Sequence, residues 1–515
     1  MISGLKRLLL PALGMALPLC AQLGPSGGGG TAARAQQLPL SGRTQGSSVS
    51  IGQSTAGPAG SGSVNILNST LQTQGDIQGS VPGNDAVSPE PLALTLAQAV
   101  KRGLQFNLSA LVSNTAQRAA NAERAGARAE LLPDVNGDVL ETVQQTNLAA
   151  AGLRFSTFSL GPGQPGFNFP SIVGPYNYFD IRAKLSQSVV DLTRLHNYRS
   201  SKEGVRAAAM IVADTRELIV LAVTGAYLQV IAGQSRVDTA RAQIATAEVA
   251  WTQAVDRNKS GLNARIDVNR SLVELQTQQQ RLNSLLNDLA KQKIAFARLI
   301  GMPQSQVLSL TDTQPFKPTD TVPGLDETIR LAWAQRPDVR AAAAQVRAAE
   351  EARQAATSEH LPSLSLNADY GVIGVNPAQS HGTFSVTGTL NVPIYRSGRI
   401  GADVEQASAV IAQRRAELED IRGHAEQDVR NARLDLDTAS QQIRLAESNR
   451  RLGADTLQQA RDRFGAGLAD TIELVQAQEA AATAEQDYIS AMYSYQLARV
   501  GLARATGAAE QSIRQ

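Results

Sequence analysis

Two stretches of the chain, Ser363–Tyr370 (SLSLNADY) and Phe384–Val392 (FSVTGTLNV), alternate polar and apolar residues. A period of two residues is that of a β-strand, because successive side chains of a strand point to opposite faces of its sheet. The same pattern occurs in Phe179–Ser186 (FDIRAKLS) and, less regularly, from Val135 to Val143. The sequence therefore predicts four strands that each have one apolar and one polar face.

The strands belong to a pattern that occurs twice along the chain. Leu132-Pro133, ahead of the first strand pair, corresponds to Leu361-Pro362 ahead of the second, and Arg257–Leu262 (RNKSGL) corresponds to Arg463–Leu468 (RFGAGL). Each half predicts one helix before its strands, a very long helix after them, and a return helix. At 1.5 Å per residue, the long helices would reach roughly 90 to 100 Å. The predicted helices span 96–131, 195–258 and 264–300 in the first half and 325–360, 400–464 and 470–506 in the second.

The long helices carry an apolar repeat that is typical of helices packed side by side. Val404, Ile411 and Leu418 are spaced by seven residues, a step of eleven leads to Val429, and steps of seven follow. Mixed steps of this kind reduce supercoiling and permit nearly straight helices. The apolar segment 218–232 is interpreted as a buried packing segment rather than a membrane helix, because it is short and interrupted by polar residues.

The composition disfavours several classes of function. With 48 basic and 46 acidic residues the net charge is +2, so no nucleic-acid partner is expected. A single cysteine and four scattered histidines predict neither a disulfide nor a metal site nor a cofactor. The segment Gly161–Gly166 (GPGQPG) has the glycine spacing of a dinucleotide-binding loop, but its prolines lack the amides that would hold phosphate, which favours a flexible loop. We therefore expect no enzymatic activity.

The N-terminal part of the chain predicts export. Residues 1–21 combine Lys6 and Arg7 with a short apolar run, which is the pattern of a secretory signal, with cleavage after Ala21 or as late as residue 35. Residues 22–91 are rich in Gly, Ser, Gln and Pro and are predicted to be a disordered tether. The first repeat is then 92–301, a linker follows at 302–324, the second repeat is 325–507, and 508–515 form a tail.

Two interpretations of the strands remain open at this point. A soluble sheet would bury its apolar face on a core, whereas a transmembrane barrel would turn that face to lipid. Aromatic residues near the predicted strand ends, among them Tyr176, Tyr370 and Tyr395, favour a barrel. Four strands cannot close a barrel, so at least two chains would be needed. The alternative is a periplasmic coiled-coil adaptor or structural protein without a barrel.

The duplicated order resembles the TolC-type outer-membrane efflux proteins over about residues 92–507. The resemblance is carried by the Leu-Pro strand starts, by Ser188–Asp191 (SVVD) and Pro393–Arg396 (PIYR) at the strand exits, and by the Gly-Leu hairpin tips. It implies a mainly α fold with membrane β: a homotrimeric, twelve-stranded outer-membrane barrel continued by a periplasmic helical tunnel. It also implies export of small molecules or polypeptides, with a periplasmic adaptor, an inner-membrane pump of RND or ABC type and outer-membrane lipid as partners.

The resemblance also implies roles for residues at the ends of the two helical hairpins. Acidic residues just past the tips would form rings at a closed periplasmic aperture, although Gln476 departs from the acidic pattern. The tips themselves would contact the adaptor. A simpler interpretation of the two acids is that they stabilise the start of each return helix. The candidate aperture residues are Asp267, Glu473 and Gln476, and the candidate docking residues are Gly261, Leu262, Gly467 and Leu468.

Overall fold

The computed structural model describes residues 48–54, 68–83, 90–150, 171–261, 264–311 and 324–514. The predicted signal at 1–21, most of the predicted tether, and Leu262 lie outside these residues. The strands are β1 Ser48–Ser54, β2 Asn68–Gln74, β3 Leu92–Leu94, β4 Asp134–Asn147, β5 Ile172–Val190, β6 Leu308–Leu310, β7 Ser363–Gly374 and β8 His381–Asn391. The helices are α1 Leu96–Phe106, α2 Leu108–Ala129, α3 Leu192–Lys259, α4 Arg265–Leu299, α5 Leu325–Gln335, α6 Pro337–Ser358, α7 Arg399–Gly465, α8 Thr471–Ala505 and α9 Ala509–Arg514.

The four predicted strands form one antiparallel sheet in the order β4-β5-β7-β8. Their register places residues of the same polarity beside one another, as the alternation requires. Near the helices, one row across the sheet is apolar and the next is polar, whereas further along Glu141 lies opposite Phe179 and Asp180 opposite Leu140. The apolar row joins Val135, Leu185, Ala368 and Val386, and the polar row joins Asn136, Lys184, Asp369 and Ser385.

The predicted long helices are confirmed, with ends within a few residues of the predicted ones. Helix α3 has 68 residues and α7 has 67, and each turns back into a return helix of 35 residues, α4 and α8 respectively. Among the long elements, α3 packs against α2, α4, α6 and α8, whereas α7 packs against α6 and α8. Towards the hairpin tips, the four longest helices therefore lie side by side in the order α4-α3-α8-α7.

The predicted single helices 96–131 and 325–360 are wrong, because each is broken near its first third. Asn107 ends α1 and caps α2: its side chain accepts the amide of Ser109 at 3.0 Å and donates to the carbonyl oxygen of Ile77 at 2.7 Å. In the second half, Pro337 starts α6 and cannot continue the hydrogen bonding of α5. The two repeats thus break at corresponding positions for different local reasons.

The prediction of a disordered tether is wrong for part of 22–91. Strands β1 and β2 pair with each other, and Val49 and Ile51 of β1 contact a cluster of buried residues on α3 and α8. Ile77, in the short 3₁₀ turn Gly75–Gln78, is only 1% exposed. The predicted linker also contains structure, since β6 pairs in parallel with β3. Short apolar patterns within a Gly- and Ser-rich background account for these differences.

The largest core surrounds the apolar segment of α3. Ile219, Val223 and Tyr227 of this segment are fully buried, and the Tyr227 hydroxyl donates to the carbonyl oxygen of Leu94 at 3.1 Å. By length and composition α3 is the one helix in the described part of the chain that could cross a membrane, but 67% of its most apolar window is buried inside the fold. The prediction that 218–232 is a packing segment is confirmed.

The predicted C-terminal tail contains the docked helix α9. The carboxylate of Glu217 on α3 accepts the amide of Ala509 at 2.7 Å and that of Glu510 at 3.3 Å, while Arg216 pairs with Glu510 at 2.6 Å. Burial raises the pKa of Glu217 above its usual value, although these amides and the charge of Arg504 act in the opposite direction. Helix α9 is therefore attached to α3 through the buried carboxylate of Glu217.

Candidate functional site

The first candidate surface is the apolar face of the four-stranded sheet. Side chains on this face are largely exposed in the single chain: Val135 is 65% exposed, Val139 70%, Phe384 78% and Val386 65%. Soluble monomers seldom expose a continuous apolar surface of this kind, and it marks contact with a membrane or a partner. The four strands have 11 to 19 residues, enough to cross a bilayer at the usual tilt.

The opposite face of the sheet is polar and carries ion pairs between neighbouring strands. Lys184 on β5 lies 2.8 Å from Asp138 on β4, and both side chains are at least half exposed. Arg182, also on β5, pairs with Asp369 on β7 and with Asp180 at 3.3 Å. A sheet with one apolar and one charged face matches the two environments of a barrel wall.

The two edges of this sheet lack a second partner within the described residues. Strand β4 pairs only with β5, and β8 pairs only with β7. Every residue of β8 is exposed. In hydrocarbon, unpaired backbone N–H and C=O groups cost several kcal/mol each. A sheet with these faces is therefore incomplete by itself.

The second candidate surface lies at the tips of the two hairpins. Gly261 and Gly467 both have φ of +75°, the left-handed region that glycine adopts most readily. An added Cβ would meet no atom within 4 Å at either position, so space is not the constraint. Leu468 is 73% exposed beside the second tip. The corresponding Leu262 lies outside the described residues.

The two hairpins are joined next to their tips by Arg257. This residue, in the last turn of α3, donates to the carbonyl oxygen of Phe464 and to that of Gly465 at 3.0 Å, both at the end of α7. Its guanidinium group also lies 4.3 Å from the centre of the Phe464 ring. Phe464 is 1% exposed and packs against Leu474 on α8. The sequence analysis did not predict the contact between Arg257 and Phe464.

The candidate aperture residues lie at the starts of the return helices. Asp267 is in the first turn of α4, 3.6 Å from Arg270. Glu473 is in the first turn of α8, and its carboxylate lies 3.3 Å from Arg463. Gln476, in the next turn, is exposed. Within one chain, each acid thus has an arginine of its own hairpin as a charged neighbour and lies where an acid stabilises a helix start.

The described residues contain no group of three or more His, Cys, Asp or Glu side chains that could hold a metal ion. The two candidate surfaces instead lie at opposite ends of the long helices. The chemistry that this arrangement supports is contact with a membrane at the sheet and with another protein at the tips.

Comparison with known proteins agrees with this geometry. Residues 328–508 match the family model described as "Outer membrane efflux protein". The chain is 24% identical to the outer membrane protein TolC of Vibrio cholerae, over 61% of this chain and 73% of that protein. It is 26% identical to the pyoverdine export outer membrane protein OpmQ of Pseudomonas putida, over 70% of this chain and 76% of that protein. Its fold matches the Campylobacter jejuni CmeC outer membrane channel with a TM-score of 0.68 and 18% identity, covering 80% of this chain and 86% of that one.

These matches, together with the two-faced sheet, define the class: the chain is an export channel of the bacterial outer membrane. Residues 328–508 form an outer membrane efflux protein domain, and the chain as a whole is similar to the TolC-type outer-membrane efflux proteins. The family is one of channels rather than of enzymes. The alternative of a periplasmic adaptor or structural protein is therefore wrong.

Proposed function

We propose that three copies of the chain each contribute four strands to one twelve-stranded barrel in the outer membrane, which continues as a helical tunnel into the periplasm. The single observation that carries this proposal is the pair of unpaired edge strands, β4 and β8, on a sheet whose apolar face is exposed. Strand β4 of one copy pairs with β8 of the next. Closing the ring removes every free edge from the hydrocarbon.

The long helices support the same closed ring. In the order α4-α3-α8-α7, helices α4 and α7 are outermost, and each has an apolar side without a partner among the described residues. The exposed residues are spaced by seven, by three times seven or by eleven residues, as in helices packed side by side. Contact between α7 of one copy and α4 of the next would bury both sides. These residues are Ile266, Val273 and Ile294 on α4, and Leu434, Leu445 and Leu452 on α7.

The tips would contact a periplasmic adaptor, which connects the channel to an inner-membrane pump of RND or ABC type. Gly261 and Gly467 support this role because their turns lie at the far end of the long helices from the sheet. Leu468, together with Leu262, would supply apolar contact area. The cargo is a small molecule or a polypeptide that passes through the lumen.

Asp267 and Glu473 would be gathered around the threefold axis at the periplasmic aperture, with Gln476 one turn further along. Six carboxylates at a narrow mouth attract cations. Replacing both acids by alanine should therefore reduce cation selectivity or change the conductance of the trimer in planar bilayers. Unchanged selectivity and conductance would mean that the two acids only stabilise helix starts.

The proposal is tested by the location and the assembly of the chain. Membrane fractionation should find it in the outer membrane, and cross-linking of intact cells should trap trimers. A strain that lacks the chain should accumulate the cargo and recover when the wild-type chain is restored. A protein released by osmotic shock, or one that cross-links only as a monomer, would contradict the proposal.

A further inference from the structure

Five charged side chains form a belt across the polar face of the sheet. The belt consists of Asp138 on β4, Asp180, Arg182 and Lys184 on β5, and Asp369 on β7. We propose that this belt is a charge filter in the barrel lumen, which favours cationic over anionic solutes on their way out. The inference rests on the proposed trimeric barrel and adds a specificity-determining site to it, separate from the periplasmic aperture.

The register places the belt within three successive rows of the sheet. Lys184 pairs with Asp369 across β5 and β7, and Arg182 pairs with Asp138 across β4 and β5. Asp180 lies in the next row of the same face, between Leu140 on β4 and Ile373 on β7. On the loop side, the next row of this face joins Thr142 and Tyr178 and has no charged residue. On the helix side, the next row joins Asp134, Ser186, Asn367 and Thr387. Including Asp134, the charges therefore occupy four neighbouring rows of this face rather than the whole length of the barrel.

The ion pairs leave a negative excess at this level. Arg182 is shared by two carboxylates, those of Asp180 and Asp369, and is itself about four-fifths buried. Lys184 and Asp138 form a separate pair whose side chains are 58% and 50% exposed. Two positive and three negative groups give one net negative charge per chain, and a trimer carries three. The most exposed pair is the part of the belt that a passing solute meets.

The dimensions of a twelve-stranded barrel bring these charges within range of the lumen axis. Strands about 4.8 Å apart and tilted by about 40° close at a backbone radius of about 12 Å. Extended lysine and arginine side chains reach roughly 6 Å inward. The distance that remains is shorter than the Debye length of about 10 Å at 0.1 M salt. A solute on the axis is therefore not screened from the belt, whereas at 1 M salt, with a Debye length of about 3 Å, it would be.

The test uses single cysteines on either side of the belt, in the full chain in intact outer membranes. A reagent that enters the barrel from outside the cell reaches Thr142→Cys before it passes the belt. It reaches Thr387→Cys only after it has passed the belt. Each thiol reacts with an external methanethiosulfonate that carries either a trimethylammonium or a sulfonate group. Labelling of the unchanged chain, whose one cysteine is Cys20, gives the background. Asp138→Asn and Lys184→Gln are then added to each cysteine variant.

The ratio of cation to anion reaction rates should be higher at Thr387→Cys than at Thr142→Cys. Asp138→Asn should lower this ratio at Thr387→Cys by about threefold to tenfold, and Lys184→Gln should raise it by a similar factor, with both effects lost at 1 M salt. Equal ratios at the two cysteines, unaffected by the charge variants, would overturn the filter and leave the channel intact. If neither reagent reaches either cysteine, no water-filled lumen exists, and the proposed barrel fails as well.

Discussion

Replacing Arg257 should loosen the two hairpin tips from each other. The guanidinium group of Arg257 stacks on Phe464 at 4.3 Å and donates to two carbonyl oxygens that end α7. Arg257→Ala removes all of these contacts, whereas Arg257→Lys keeps the charge but loses the planar fork and most of the stacking. Both variants leave the helix α3 itself intact, because alanine and lysine are good helix formers.

The size of the effect follows from the contacts. A partly exposed cation–π contact contributes about 0.5 to 1 kcal/mol. Hydrogen bonds from a charged donor contribute about 1.5 kcal/mol or more when buried, and less here because Arg257 is half-buried. We expect Arg257→Ala to lower the free energy of local opening at the tip by about 1 to 2 kcal/mol, which corresponds to roughly fivefold to thirtyfold in an equilibrium constant.

Hydrogen exchange in the purified channel measures this opening. The amides of Ala466, Gly467 and Leu468 donate to carbonyl oxygens in the last turn of α7, so their protection reports the tip directly. Arg461→Ala is a matched control, because Arg461 also links α7 to α3, through Thr246 at 2.7 Å, one turn before the carbonyl oxygens that Arg257 contacts. Protection that changes less than about twofold in Arg257→Ala, or equally in the control, would show that Arg257 does not hold the two tips together.

Three further predictions address the sheet, the tips and the C-terminal helix. Val386→Asp places a charge on the lipid face, at a cost of up to about 2 kcal/mol per copy, and should reduce the amount of folded trimer on unheated gels. Thr387→Asp places its charge on the lumen face and should leave the amount of trimer unchanged. Gly467→Val should abolish export without loss of trimer, because φ of +75° disfavours a branched side chain, while Gly465→Val, at a helical position, should be milder. Burial raises the pKa of Glu217, so the free energy of unfolding of the wild-type chain should fall as pH rises from about 4.5 through the folded-state pKa. In thermal melts, Glu217→Gln should reduce this pH dependence. An unchanged pH dependence would contradict the prediction.

The strands and the long helices were predictable because their signals repeat over many residues. Alternation over Phe384–Val392 has one consistent structural solution, since a slip of one residue would move every side chain to the wrong face. The ends of α3 and α7 were predictable because glycines follow them, and Gly261 and Gly467 have the positive φ that such turns need.

The elements that were missed depend on contacts between distant parts of the chain. The break at Asn107 is stabilised by the carbonyl oxygen of Ile77, a residue within the predicted tether. Val49 and Ile51 provide only two apolar positions in a Gly- and Ser-rich segment, too few to outweigh its composition. Their partner on α3, Leu221, and those on α8, Leu497 and Val500, lie far along the chain. Local sequence carries no signal for such pairs.

Some features of the candidate site were likewise predictable from local sequence, and others were not. The positions of the tip glycines could be predicted, because each lies in a repeated motif. The contact between Arg257 and Phe464 could not, because it joins the two repeats in space and has no counterpart in their shared pattern. The charge belt required the register of the sheet, which brings Lys184 on β5 within 2.8 Å of Asp138 on the neighbouring strand β4.

Native mass spectrometry of the channel, extracted from outer membranes in mild detergent, tests most directly whether each sheet is one third of a barrel. We expect a single species with three times the mass of the mature chain, because only a closed ring removes the free edges of β4 and β8. Stable monomers or dimers that retain the folded four-stranded sheet would contradict it.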